Sequence, residues 1–105
     1  MNADLKTKLL AALRSGDYTQ TRGRLRDDTG FCALGVLCDV SGIGVWRREG
    51  DGSFCFLGPD EKANATYLPR ALAEDVPKPL QRELTKMNDN GMLFSAIADW
   101  IEENL

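Results

Sequence analysis

Residues 31–40, FCALGVLCDV, decide the fold of this chain because they are apolar almost throughout. Such a run is typical of a helix that is buried on most sides, or of a central strand. We predict a helix, since Ala33, Leu34 and Leu37 favour that conformation and the run is ten residues long. Gly35 in its middle costs about 1 kcal/mol relative to alanine, which indicates that another element packs closely against it.

The segments around this run predict the rest of an α+β domain. Two strand-like sequences, VWRR and SFCFL, flank a glycine-rich turn and predict a β-hairpin over 45–57. Residues 58–66 are polar and predict a mobile loop. Helical spacing of apolar residues predicts further helices at about 3–15, 69–73, 79–87 and 93–104. We therefore expect about four helices, with a small antiparallel sheet or hairpin packed around the central apolar helix at 31–40.

Length and composition indicate one small cytoplasmic domain over residues 1–105. The chain has 43% hydrophobic and 28% charged residues, both ordinary for a globular protein. No apolar run approaches the roughly 20 residues that span a bilayer, and the N-terminus lacks the apolar region of a secretory signal. Three cysteines, an odd number without an export signal, are expected to be reduced.

Charge and residue content exclude several kinds of site. The net charge of −3 argues against nucleic acid as a partner. Histidine is absent, which removes Ser-His and Cys-His pairs and the common zinc ligand sets. Cys32 and Cys38 would lie about 9 Å apart along one helix and point in different directions, so they can share neither a disulfide nor a metal. We expect no metal and no cofactor, and the balance leans against an enzyme without deciding the matter.

Three arginines alternate with other residues at 22–26 and form the first candidate binding site. If the segment 18–26 is extended, Arg22, Arg24 and Arg26 lie on one side of a strand, about 6–7 Å apart. Such a row can bind phosphates or an acidic patch on a partner. The alternative is a solvated strand face that discourages pairing at the sheet edge.

Asp39 is the second candidate, because it lies near the C-terminal end of the predicted helix, where the helix dipole disfavours an anion. It either reaches water or pairs with an arginine, for which Arg26 and Arg47 are the candidates. A structural ion pair is the favoured interpretation, and catalysis by a lone carboxylate stays open.

Two tryptophans and one polar turn complete the set of candidates. Trp46 and Trp100 are either exposed anchors for a partner or residues at the rim of the core, and the second is the default. The turn at 88–91, NDNG, predicts a left-handed Gly91 with Asn and Asp side chains that cap the adjoining helix ends.

Two stretches resemble a group of small uncharacterised proteins from bacteria and their phages. They are GFCALGVLCDV at 30–40 and LTKMNDNGMLFSAIADWIEENL at 84–105; the group shows a GFCCLGVLCD-like run and later MNDxGxSFxEIADxIE. The stretch SGDYTQTRGRLRD at 15–27 also fits. Ala33 stands where a second cysteine is common, and Leu93 stands where a serine would cap the last helix. The resemblance implies a bacterial or prophage setting in the cytoplasm and carries no known activity or site residues.

Two functions follow from these observations. The leading hypothesis is a non-enzymatic protein-interaction domain of phage, prophage or bacterial origin that modulates a host or defence protein. The alternative is a small-ligand or nucleotide/phosphate-binding domain, which could be an enzyme. It would use Arg22, Arg24, Arg26 and Asp39 around a pocket beside the buried helix. A concave pocket with these arginines favours the ligand, whereas a convex surface that bears a tryptophan favours the partner.

Overall fold

The computed structural model describes residues 1–59 and 66–105, so most of the loop predicted at 58–66 lies outside the described residues. In these two ranges the chain forms five helices and two antiparallel two-stranded sheets, which confirms the predicted α+β class. The helices are α1 (Ala3–Ser15), α2 (Ala33–Ser41), α3 (Arg70–Ala73), α4 (Lys78–Asp89) and α5 (Phe94–Asn104). The sheets pair β1 (Arg26–Asp27) with β2 (Gly30–Phe31), and β3 (Val45–Arg48) with β4 (Phe54–Leu57).

Helix α2 lies at the centre of the fold. Residues 33–38 are all buried, and α1 and α4 pack against this helix while α5 packs against α1. The prediction of a buried helix is therefore confirmed, but its predicted start is wrong. Phe31 belongs to β2, and Cys32 is the N-cap, whose Sγ accepts a hydrogen bond from the Gly35 N–H at 3.4 Å.

Gly35 is the point where another segment approaches α2 most closely. A Cβ at this position would lie 1.8 Å from the backbone oxygen of Leu25. The same carbonyl accepts a hydrogen bond from the Cys32 N–H at 3.0 Å. The backbone that leads into β1 therefore lies directly on α2, which confirms the close approach expected at this glycine.

The side-chain amide of Asn88, near the end of α4, joins three parts of the chain. It is fully buried, with 0% of its surface exposed. Its Oδ1 accepts hydrogen bonds from the Ala33 N–H at 3.2 Å and from Nε2 of Gln20 at 2.9 Å. Its Nδ2 donates to the Thr21 carbonyl at 2.7 Å. Asn88 thus fixes the start of α2 and the segment 20–23 against α4.

Of the two predictions for the turn at 88–91, one is confirmed and the other is wrong. Gly91 has a φ of 91°, as predicted. The predicted caps on the adjoining helix ends are wrong, because Asn88 bonds the start of α2, and Oδ1 of Asp89 accepts from the Gly23 N–H at 3.0 Å. The N-cap of α5 is Leu93, which makes no side-chain capping bond.

None of the helices within residues 1–59 and 66–105 has the length and hydropathy that crossing a bilayer requires.

We expect Gly35→Ala to destabilise the protein by about 3 kcal/mol or more, at the upper end of what overpacked cores cost. The new methyl group would meet a backbone carbonyl, which cannot rotate away as a side chain can. Chemical denaturation monitored by circular dichroism measures the loss. Gly50→Ala is the matched control, since nothing lies within 4 Å of a Cβ there. Equal stability of the two variants would contradict this account of Gly35.

We expect Asn88→Ala to lower the free energy of unfolding by about 3 kcal/mol, because it leaves a buried N–H and a buried carbonyl without partners. Asn90→Ala, two residues away on the exposed surface, is expected to change it by less than about 0.5 kcal/mol. Denaturant titration of both variants gives the comparison. A loss for Asn88→Ala no larger than for Asn90→Ala would show that the amide is not a structural link.

Candidate functional site

A cleft of about 280 Å³ runs along one face of α4. The helix supplies four lining residues at the spacing i, i+3, i+4 and i+7, which places them on the same face: Arg82, Thr85, Lys86 and Asp89. The surrounding walls include Gly23, Arg24, Tyr67 and, at the start of α2, Cys32.

Hydrogen bonds define which wall lies at which end of the cleft. The bond from the Gly23 N–H to Asp89 fixes the segment with Arg24 at the C-terminal end of α4. The bond from the Leu68 N–H to Oε1 of Gln81, at 3.1 Å, fixes Tyr67 at the other end. Since a helix rises 1.5 Å per residue, the two ends lie about 10 Å apart along the axis.

The charge of the cleft is positive. Arg24, Arg82 and Lys86 line it, and none of them forms an ion pair within residues 1–59 and 66–105. Its carboxylate, Asp89, uses one oxygen to accept from the Gly23 N–H. Since the whole chain carries a net charge of −3, these cations form a local exception. The start of α2 adds the positive end of a helix dipole, without an acidic residue in its first turn.

The cysteine in the cleft wall is a poor nucleophile. Cys32 is 5% exposed, and its burial raises the pKa of the thiol to about 11. The group therefore stays protonated at neutral pH, whereas nucleophilic attack needs the thiolate. Burial also raises the pKa of Cys38. In the parts of the chain that the structure describes, no group of three or more cysteine, aspartate or glutamate side chains could hold a metal ion.

Of the three arginines predicted to share a strand face, Arg24 alone lines the cleft. The extended segment 18–26 is only partly correct: Gln20 forms a bridge with Phe31, but Gly23 has a φ of 81° and β1 begins only at Arg26. This left-handed residue separates Arg22 from Arg24, so the row is broken. The guanidinium of Arg22 lies beside Gly91, where an added Cβ would be 3.1 Å from it.

Arg26 binds aromatic rings instead of facing solvent with the other arginines. Its guanidinium lies 4.7 Å from the ring centroid of Phe31, 5.4 Å from that of Trp46 and 4.2 Å from that of Phe54. These rings belong to both sheets, so the cation–π contacts hold the sheets together. Arg26 therefore has a structural role between the sheets and does not line the cleft.

Asp39 has neutral partners, and the predicted ion pair with an arginine is wrong. Its carboxylate accepts hydrogen bonds from the Tyr18 hydroxyl at 2.5 Å and from Nε1 of Trp46 at 3.1 Å. Arg26 is occupied by rings, and Arg47 pairs with Glu49 at 2.9 Å. Burial and the bond to Asp39 raise the pKa of Tyr18 to about 12. The Asp39 carboxylate connects α2 to β3 through Trp46, and Asp39 does not line the cleft.

The two tryptophans lie at the rim of the core. Both Trp46 and Trp100 are partly buried and pack against the core. Trp46 also makes edge-to-face contacts with Phe31, at 5.8 Å between centroids, and with Phe56, at 4.9 Å. Much of each ring is therefore already engaged within the protein.

Sequence reasoning missed the residues of α4 that form the cleft. The spacing of Arg82, Lys86 and Asp89 on one helix face was available in the sequence. A charged helix face is ordinarily solvated, however, and the pattern does not reveal the opposite wall with Arg24 and Tyr67.

Comparison with known proteins gives one partial match. Residues 1–47 match the family model of a domain of unknown function, DUF8296. The match includes α1, α2 and the wall of the cleft with Arg24, and it stops before α4. No curated protein matches the chain, and no solved structure matches it either. The chain is thus similar over its first 47 residues to a family that has no assigned function.

Proposed function

We propose that this protein binds a small phosphate-bearing ligand in the cleft on α4. The observation that carries the proposal is the convergence of Arg24, Arg82 and Lys86 on one cleft, without an ion pair among the described residues. Like charges repel one another, and an anion between them relieves the repulsion. Arginine and lysine both form strong charge-assisted hydrogen bonds with phosphate oxygens.

The surroundings of the cleft support binding in preference to catalysis. The Cys32 thiol is protonated, and the sequence contains no histidine that could act as a base. The volume of about 280 Å³ is near the lower limit of roughly 300 Å³ for small-molecule pockets, which suits a small ligand better than a polymer. The resemblance of the stretches at 30–40 and 84–105 to bacterial and phage proteins supports a cytoplasmic setting of that origin.

We expect Lys86→Ala to weaken the binding of inorganic pyrophosphate by about tenfold or more, because hydrogen bonds to charged groups are worth roughly 1.5–3 kcal/mol. Isothermal titration calorimetry at low ionic strength measures the affinity. Lys8→Ala, which removes the same charge from an exposed position on α1, is the control and is expected to retain binding. Failure of the wild-type protein to bind pyrophosphate, or an equal loss in both variants, would refute the proposal.

A protein partner is a second candidate, which a separate surface favours. Met92 is 37% exposed and Leu93 is 68% exposed, in the connection between α4 and α5. Met92 lines a shallow groove of about 380 Å³ together with Met87 and Gly91, and Leu93 is the next residue in the chain. Exposed apolar side chains next to a groove are typical of docking surfaces, and a host or defence protein is the partner that the resemblance suggests.

For this second candidate we expect Leu93→Ser to abolish the capture of a specific protein by the tagged chain from bacterial lysate. Val45→Ser is the control, since Val45 is 65% exposed and lies on β3. Mass spectrometry of the captured proteins distinguishes the variants. The candidate is rejected if the wild-type chain captures no specific protein, or if both variants capture the same one.

A further inference from the structure

The two ends of the cleft differ in chemistry, and this difference indicates what kind of phosphate compound fits. We propose that the ligand is a mononucleotide, with its base on Tyr67 and its phosphate on Lys86 and Arg24. This inference rests on the proposed function, because it specifies the ligand of the same cleft.

An aromatic residue forms one end of the cleft. Tyr67 is 47% exposed there, and its backbone is fixed through Leu68. The amide of Gln81 that holds Leu68 is itself buried, and its Nε2 donates to the Val76 carbonyl at 2.9 Å. An exposed aromatic ring is a surface on which a nucleobase can stack, and such stacking depends little on which base is bound.

A carboxylate forms the other end. Oδ1 of Asp89 accepts from the Gly23 N–H at 3.0 Å, whereas Oδ2 has no partner within residues 1–59 and 66–105. This partly exposed oxygen is able to accept a hydrogen bond from a ligand that carries a donor, and its negative charge favours such a ligand over one that is only an anion. The hydroxyls of ribose, which lies between the base and the phosphate, are such donors, whereas pyrophosphate at neutral pH offers few. Asp89 therefore favours a phosphate that carries a nucleoside.

The dimensions of the cleft limit the ligand to one nucleotide. Lys86 lies between the two ends on α4, within about one helical turn of both Arg82 and Asp89. Seven residues of helix give about 10 Å between the ends, and the volume is about 280 Å³. A dinucleotide needs roughly twice this space, so the cleft suits a nucleoside monophosphate.

The test compares nucleoside monophosphates with ribose 5-phosphate, which has the same phosphate and sugar but no base. AMP, GMP, CMP and UMP are titrated into the full chain by calorimetry, with pyrophosphate as the reference for the cations. We expect at least one nucleotide to bind about fivefold or more tightly than ribose 5-phosphate, the lower limit for stacking of one base. Tyr67→Leu is expected to remove this difference and Tyr67→Phe to keep it, while both retain the affinity for pyrophosphate.

The outcomes separate the two proposals. If all four nucleotides bind no more tightly than ribose 5-phosphate, or if Tyr67→Leu leaves the difference unchanged, the mononucleotide is rejected while binding of pyrophosphate still supports the phosphate site. If pyrophosphate fails to bind, the phosphate site is rejected, and the mononucleotide proposal, which rests on it, is rejected as well.

Discussion

The buried amide of Asn88 is the interaction on which the rest of the structure depends. It bonds the first N–H of α2 and the Thr21 carbonyl from a position on α4, so it sets the distance between these parts of the chain. One residue later, Asp89 accepts a hydrogen bond from the Gly23 N–H, which joins α4 to the same loop at the edge of the cleft. A buried amide without partners costs roughly 1–3 kcal/mol for each unsatisfied group, so these bonds help to hold the three parts of the chain together. The walls of the cleft therefore exist only when α4, α2 and the segment 20–23 have folded onto one another.

Features that depend on local pattern could be predicted from the sequence. Helix α1 covers Ala3–Ser15, as its apolar spacing indicated, and Gly16, with a φ of 79°, caps its C-terminal end. The hairpin at 45–57 and the close approach at Gly35 follow from local composition in the same way. The start of α2 was misjudged because a continuous apolar run looks the same in a buried helix and in a buried strand. Phe31 belongs to the strand for the further reason that its carbonyl accepts from the Thr21 N–H.

The candidate site could not be predicted, because its parts meet only in three dimensions. The prediction that the arginines at 22–26 form a row assumed an extended chain, but the left-handed Gly23 changes the direction of the chain between Arg22 and Arg24. Arg26 then finds three ring faces, whose positions follow from the pairing of strands far apart in sequence. Lys86, by contrast, resembles any solvated residue on an amphipathic helix until Arg24 is known to lie opposite. The local pattern predicts that Asn88 caps a neighbouring helix end. Its actual partners are more than 50 residues away in the sequence, and a local pattern cannot identify them.

The bonds of Asn88 and Asp89 join the same segments that the proposed ligand would contact. The wall with Arg24 is a loop segment, held by the bonds of Asn88 and Asp89 and by the contact of Leu25 with Gly35. Within residues 1–59 and 66–105, Arg24, Arg82 and Lys86 line the cleft without an ion pair. The phosphate-bearing ligand that we propose would bridge Arg24 and Lys86 and so add a connection between the same loop and α4, in parallel with the buried amide. Such a ligand would also stabilise the fold, because a ligand that binds only the native state stabilises it by an amount that grows with its concentration and affinity.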